Sequence, residues 1–113
     1  MALSKKDILS FDDTVYKKIK VGAWKNQELI IKTMSAKEKL DWVKLVEKKG
    51  GELLAAIELI IICCVDDDHR QLFDKQDVEA LKHKSAEALN FISEECLKLS
   101  GLYAEAVEDE AKN

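Results

Sequence analysis

The sequence of 113 residues contains no proline and only four glycines. Because these two residue types interrupt regular structure most often, long coil linkers are not expected and helices can run uninterrupted. Apolar residues make up 47% of the chain and charged residues 35%, a balance that lets a chain bury a core. The length suits one compact domain. The composition therefore predicts a single, helix-rich globular domain.

The sequence also lacks an apolar run long enough for a membrane helix. Its most apolar stretch, Glu52 to Val65, contains Glu58, whereas a membrane span needs about twenty apolar residues. The segment from Met1 to Asp7 has lysines but no apolar stretch behind them, so it does not predict a signal peptide. We expect a protein that remains inside the cell that makes it, with no membrane partner.

Arginine is nearly absent, since Arg70 is the only one. Residues 1–50 hold 12 lysines against 7 acidic residues, and residues 51–113 hold 6 basic against 15 acidic, giving net charges of +5 and −9. A basic half can bind nucleic acid, but these lysines alternate with acids and form no basic motif. We predict no nucleic-acid partner. Head-to-tail association between basic and acidic surfaces of identical copies remains open.

The three cysteines, Cys63, Cys64 and Cys96, are odd in number and form no CxxC pair. They lie within apolar helical patterns, which predicts reduced, buried thiols. Neither His69 nor His83 lies at a ligand spacing from a cysteine pair. The sequence therefore predicts no metal and no cofactor, and none of its patterns indicates an enzyme.

One acidic segment keeps a metal site open as an alternative. Residues 66–77 stand between two helical patterns, as the calcium loop of an EF-hand does. Oxygen ligands would occupy the first, third, ninth and twelfth positions, at Asp66, Asp68, Asp74 and Asp77. Arg70 and Gln71 stand where that loop needs a ligand oxygen and a glycine. The alternative function is an EF-hand-like, calcium-responsive helical binding protein, and the simpler interpretation is a solvated turn.

The N-terminal part of the chain predicts an arm and a β-hairpin. Residues 1–13 are typical of a flexible arm that docks on a neighbour. Residues 14–21 partly alternate apolar and polar side chains, residues 27–34 are again β-rich, and residues 22–26 between them suit a turn. Because two strands alone are marginally stable in water, the hairpin must pack on helices or pair with another subunit.

About four helices follow the predicted hairpin. Ser35 to Glu38 has the Ser-x-x-Glu form of a capping box and begins a helix that runs to about Lys49, before Gly50-Gly51. Residues 52–65 are apolar on all sides, which is typical of a buried central helix. The β-branched residues within Leu59 to Val65 leave a strand open there.

The last two helices have clear start signals. Asp74 caps a short helix, and Ser85 begins a longer one that Gly101 ends. Residues 103–113 form an acidic C-terminal tail. The predicted fold class is α+β, mainly helical, with an N-terminal β-hairpin followed by about four helices.

One segment of the C-terminal half reads Leu72-Phe73-Asp74-Lys75-Gln76-Asp77-Val78-Glu79-Ala80-Leu81 and continues through Lys84 to Leu89 into a predicted helix ending at Leu99-Ser100-Gly101-Leu102. The N-terminal half contributes Leu3 to Leu9, Asp12-Asp13, Val15 to Trp24 and Leu29 to Lys39. In this order, these segments resemble the tail assembly chaperones of long-tailed, lambda-like bacteriophages and prophages. The resemblance implies a single tail assembly chaperone domain over residues 14–102.

The resemblance also implies a function without catalysis. Chaperones of this family bind and solubilise the tape measure protein and promote tail tube polymerisation, so the implied partners are the tape measure protein and the major tail (tube) protein. The implied protein is a homo-oligomer in the cytoplasm of the bacterial host and is not in the mature virion. The expected partner contacts are Trp24, Leu29, Ile31, Trp42 and Phe73.

Overall fold

The structure is a computed structural model that describes residues 2–49 and 51–101, without the side chains of Lys49 and Glu52. Within these residues it contains five α-helices and three strands. In chain order they are α1 (Lys5–Ser10), β1 (Tyr16–Val21), β2 (Gln27–Lys32), α2 (Ala36–Lys49), α3 (Glu52–Cys63), β3 (Cys64–Val65), α4 (Val78–Lys82) and α5 (Ala86–Leu99). The predicted class, α+β and mainly helical with an N-terminal hairpin, is confirmed. Residues 103–113, predicted as a tail, lie outside the described part.

The predicted hairpin is formed by β1 and β2, which pair antiparallel from Tyr16 opposite Lys32 to Val21 opposite Gln27. The connection is a short 3-10 helix, Gly22–Trp24, followed by two residues in the left-handed region. These are Lys25, with a φ of 57°, and Asn26, with a φ of 60°. Asparagine tolerates that conformation better than most residues, so the turn follows from local sequence.

The apolar stretch 52–65 forms both structures that its sequence left open. It is helical as α3 and then extends into β3, which pairs antiparallel with β2 through Ile30 opposite Val65 and Ile31 opposite Cys64. The sheet order is β1-β2-β3. One segment therefore supplies the central helix and the third strand, and β2 becomes the middle strand of the sheet.

The core lies where the inner face of the sheet meets α3 and α5. Each of these elements contributes side chains that are nearly or fully buried: Ile19, Val21 and Ile31 from the strands, Ile57, Leu59 and Ile60 from α3, and Leu89, Ile92 and Cys96 from α5. The α5 residues recur at a helical spacing, so one stripe of that helix faces the core. Burial of these apolar side chains supplies the main driving force for folding.

The predicted helix starts are confirmed by hydrogen bonds. The Glu38 backbone N–H donates to Ser35 Oγ at 3.1 Å, and the Ser35 N–H donates to Glu38 Oε1 at 2.9 Å, which completes the capping box before α2. Asp74 caps the 3-10 helix Lys75–Asp77 that leads into α4, and Ser85 caps α5. At the predicted end of α2, Gly50 lies outside the described residues.

The structure also contains a helix within the predicted arm, which the sequence analysis did not identify. Ser4 Oγ accepts a hydrogen bond from the Asp7 backbone N–H, and Asp7 returns the bond to the Ser4 N–H, so α1 begins with its own capping box. All six residues of α1 are exposed. The capping box therefore satisfies backbone N–H groups of a short helix that gains no burial against the rest of the domain.

Glu38 gives the stability of the domain a specific pH dependence. Burial raises the pKa of Glu38, but hydrogen bonds from Lys32 and the Ser35 N–H, with the Lys32 charge, outweigh it and hold the pKa below its usual 4.5. A carboxyl group whose pKa is lower in the folded state stabilises the fold at pH values above its unfolded-state pKa. This contribution is lost as the pH falls through the folded-state pKa. In urea titrations at pH values from about 6 to about 3, the free energy of unfolding of Glu38→Gln should fall less steeply with decreasing pH than that of the unmodified protein.

The control is Glu79→Gln, which removes the more exposed pair between Glu79 and Lys82 at 2.9 Å. Because solvent screens that pair, we expect a smaller change in acid sensitivity than Glu38→Gln produces. Equal slopes for Glu38→Gln and the unmodified protein would contradict the assignment to Glu38.

Candidate functional site

The five residues predicted as partner contacts lie in or against the core. Trp24, Leu29, Trp42 and Phe73 are partly buried and pack on the core, and Ile31 has 0% of its surface exposed. Ile31 lies on the middle strand of the sheet, opposite Cys64. For all five residues, contact with a partner stays a prediction.

Trp42 has a structural role that its sequence position did not reveal. Its indole Nε1 donates a hydrogen bond of 3.0 Å to the backbone carbonyl of Ala55, so it joins α2 to α3. A partly buried tryptophan whose N–H has a partner is typical of a residue that fixes two helices together. Its indole therefore contributes to holding α2 in place.

Among the described residues, the three most exposed large apolar side chains belong to the arm. The arm surface consists of Leu3, Ile8, Leu9 and Phe11, whose exposed fractions are 62%, 57%, 75% and 65%. Exposed apolar side chains clustered in one short segment are typical of a surface that another molecule covers. The sequence shows that these residues are apolar, but only the structure shows that all four are exposed.

A second apolar surface lies on α2. Trp42, Leu45 and Val46 are partly buried, whereas Leu40 is 61% exposed and Val43 is 37% exposed. Ala36, Leu40 and Val43 recur at i, i+4 and i+7, so they lie along one side of the helix. We call these three residues the outer face of α2. This helix therefore carries apolar side chains on two sides, only one of which is packed on the domain.

The edge of the sheet is less suited to pairing with another strand. β1 is an edge strand in the order β1-β2-β3, and it carries exposed Lys17, Lys18 and Lys20. Lysines on an edge strand disfavour the approach of a second strand because they place charge along it. Within the described residues, the arm and α2 are therefore the better surfaces for an apolar partner.

The loop after β3 differs from a calcium-binding loop. Asp66 follows a strand and not a helix, and its Oδ1 accepts hydrogen bonds from the backbone N–H groups of Asp68, at 2.8 Å, and Arg70, at 3.0 Å. A β-bridge between Val65 and Gln71 closes the turn. No cluster of three His, Cys, Asp or Glu side chains in the described residues is arranged to hold a metal. The structure gives the EF-hand alternative no support and favours the solvated turn.

Backbone geometry and ring stacking hold this turn in place. His69 takes a left-handed conformation, with a φ of 64°, and its ring stacks on Tyr16 with centroids 3.7 Å apart and planes 9° apart. The Arg70 backbone N–H is the largest of the causes that lower the pKa of Asp66. The side chain that would be the first calcium ligand therefore stabilises its own turn.

The three cysteines are free thiols and all are buried, as the sequence predicted. A hydrogen bond with Cys96 and burial raise the pKa of Cys63 far above its usual value. A thiol that stays protonated is a poor nucleophile and a poor metal ligand. The cysteine cluster therefore acts as part of the apolar core.

We expect the native protein to react slowly with a thiol reagent. Cys63, Cys64 and Cys96 each have 0% of their surface exposed, so a disulfide reagent reaches them only when the domain opens. A spectrophotometric thiol assay should detect a negligible fast phase in buffer and all three thiols in denaturant. A fast phase from any thiol in buffer would contradict the burial of this cluster.

The fold is similar to a solved structure described as the bacteriophage HK97 tail assembly chaperone. The two agree with a TM-score of 0.59 at 18% sequence identity, over 88% of this chain and 92% of the other. No protein-family model matches the sequence, and no curated protein matches it. At this level of identity the likeness establishes a shared fold. In the described residues, no helix is long and apolar enough to cross a membrane.

Proposed function

We propose that this protein is a phage tail assembly chaperone. It binds and solubilises the tape measure protein, promotes polymerisation of the tail tube from the major tail protein, and has no catalytic activity. It acts as a homo-oligomer in the cytoplasm of the bacterial host and is not in the mature virion. The observation that carries the proposal is the fold shared with the HK97 tail assembly chaperone over nearly the full length of both chains.

The exposed apolar side chains support a binding role. A long amphipathic helix free in the cytoplasm exposes an apolar stripe and tends to aggregate, so a chaperone must cover that stripe. The arm surface offers four large apolar side chains that are more than half exposed. We place the first contacts with the tape measure protein there, on and next to the short helix α1 that precedes the hairpin in the chain.

Co-expression with the tape measure protein of the same phage tests the proposal. We expect the tape measure protein to be mostly insoluble alone and mostly soluble with this chain, and to elute with it in size-exclusion chromatography. A fold-matched control is a tail assembly chaperone from an unrelated phage. If the tape measure protein remains insoluble with this chain, the proposed function is wrong. The gene order offers a second test, because a tail tube gene and a very long tape measure gene should flank this gene.

A further inference from the structure

We propose that the outer face of α2 in one copy packs against α5 of a second copy, so that the protein associates head to tail. This contact specifies an interface for the homo-oligomer of the proposed function, and it rests on that part of the proposed function. On the outer face of α2, Leu40 is 61% exposed and Val43 is 37% exposed, although α2 packs on α3 along another side. The charge that borders this face, a matching surface on α5 and the positions of the two helices support the contact.

Lysines border the outer face of α2. Lys37 and Lys44 lie seven residues apart along one side of this face, Lys39 lies along its other side, and all three are exposed. Lys37 also lies 3.0 Å from Asp41, but that pair is exposed and solvent screens its attraction. Two outer faces of α2 would bring lysines against lysines. This basic, apolar face therefore suits an acidic surface better than it suits the same face of another copy.

α5 carries a surface of opposite charge with the same spacing. Glu87, Phe91 and Glu94 recur at i, i+4 and i+7, on the side of α5 that points away from its buried stripe. We call these three residues the outer face of α5. Both glutamates are exposed, and Phe91 is partly exposed between them although it also packs on the core. The outer face of α5 is therefore an acidic surface with an apolar centre.

The two outer faces match in register. Residues seven positions apart on a helix are separated by about 10 Å, so Lys37 and Lys44 have the same spacing as the two glutamates of α5. When the helices lie side by side in the same direction, each lysine faces a glutamate and the apolar residues meet between these pairs. One turn further along, Glu47 on α2 and Lys98 on α5 are again opposite in charge. An apolar centre with a charged rim is the usual composition of a protein interface.

The two outer faces belong to different parts of the domain. α2 and α5 both pack on α3, and each turns its outer face away from that contact. After one contact between two copies, an outer face of α2 and an outer face of α5 are still free, one on each copy. Contacts of this heterologous kind add further copies until a ring closes or a filament forms. The contact therefore allows assembly beyond a dimer.

Charge reversal in two matched variants tests the contact. The α2 variant carries Lys37→Glu and Lys44→Glu, and the α5 variant carries Glu87→Lys and Glu94→Lys. Each variant alone places like charges across the interface, so its association should be about 30-fold weaker than that of the unmodified protein. Sedimentation velocity over a concentration series measures this association. The unmodified protein should sediment as more than one chain at about 0.05 M salt and approach a single chain at about 0.5 M.

An equimolar mixture of the two variants should recover the association that each has lost. In the mixture, the new glutamates of the α2 variant face the new lysines of the α5 variant, and the natural lysines and glutamates face each other at the next contact. Recovery also shows that both variants are folded. The control is Lys5→Glu with Lys6→Glu, which makes the same change of charge on exposed α1 and should associate as the unmodified protein does.

Neutral substitutions provide a milder form of the same test. Lys37→Gln with Lys44→Gln, and Glu87→Gln with Glu94→Gln, should each weaken association about fivefold, even if a reversed variant fails to fold. Unchanged association in both neutral variants, or a mixture of folded reversed variants that stays dissociated, would overturn the contact. An oligomer of that kind would form through another surface, and the solubility of the co-expressed tape measure protein would still decide the chaperone function. A single chain at every concentration would overturn the contact and the homo-oligomer together.

Discussion

Replacing Leu89 with alanine is expected to lower the free energy of unfolding by about 3 kcal/mol. Leu89 has 0% of its surface exposed and lies on the stripe of α5 that faces α3 and the sheet. Truncation would remove its apolar contacts and leave a cavity that surrounding side chains fill only in part. Urea unfolding monitored by circular dichroism measures the change, with the transition midpoint falling at constant slope.

The matched control is Leu40→Ala, the same change on the outer face of α2. Leu40 is 61% exposed, so its truncation should alter stability by less than about 0.5 kcal/mol. Comparable losses for the two variants would contradict the position of the core between α3, α5 and the sheet. Because the chemical change is identical, the difference between the variants reports burial alone.

The parts of the fold that the sequence predicted are those with strong local signals. Ser35, Asp74 and Ser85 are all helix caps in the structure, and each was recognisable from the residue types that follow it. The hairpin was recognisable from its alternation and its turn. In each case the residues that form the contact are close in sequence, so a local pattern carries the information.

Two elements could not be predicted with the same certainty. β3 contains only Cys64 and Val65, and it is a strand because β2 lies beside it, so its conformation depends on pairing between distant residues. α1 has a local cap at Ser4, but a six-residue helix is too short for a periodic apolar pattern to identify. Periodic patterns identify long elements, whereas a short helix is identified only where its cap is recognised, as at Asp74 before α4.

The candidate site was harder to predict than the fold, because the apolar character of a residue does not reveal whether the folded chain exposes it. Ile31 and Leu40 are similar in size and apolar character, yet the first is fully buried and the second is 61% exposed. The middle strand of a sheet is covered by helices, whereas one side of α2 is not. Which residues a partner can contact is therefore decided by tertiary packing.

The arm surface leads to the prediction with the largest functional effect. The double substitution Ile8→Asp and Leu9→Asp should weaken binding of the tape measure protein at least about 100-fold. Burying two such side chains contributes about 3 kcal/mol, and two new carboxylates would have to be desolvated as well. The measurement is fluorescence anisotropy with a labelled tape measure segment, supported by the soluble fraction in co-expression.

Stability separates lost binding from lost folding in this experiment. Ile8 and Leu9 are 57% and 75% exposed, so the double variant should unfold at the same urea concentration as the unmodified protein. Leu72→Asp, at a 44% exposed position outside the arm, is the control that adds charge without touching the arm surface. If the double variant and this control bind equally well, the arm is not the contact, although a chaperone function through another surface would remain possible. If the double variant alone loses binding while both remain folded, the exposed apolar side chains of the arm serve a partner and not the domain.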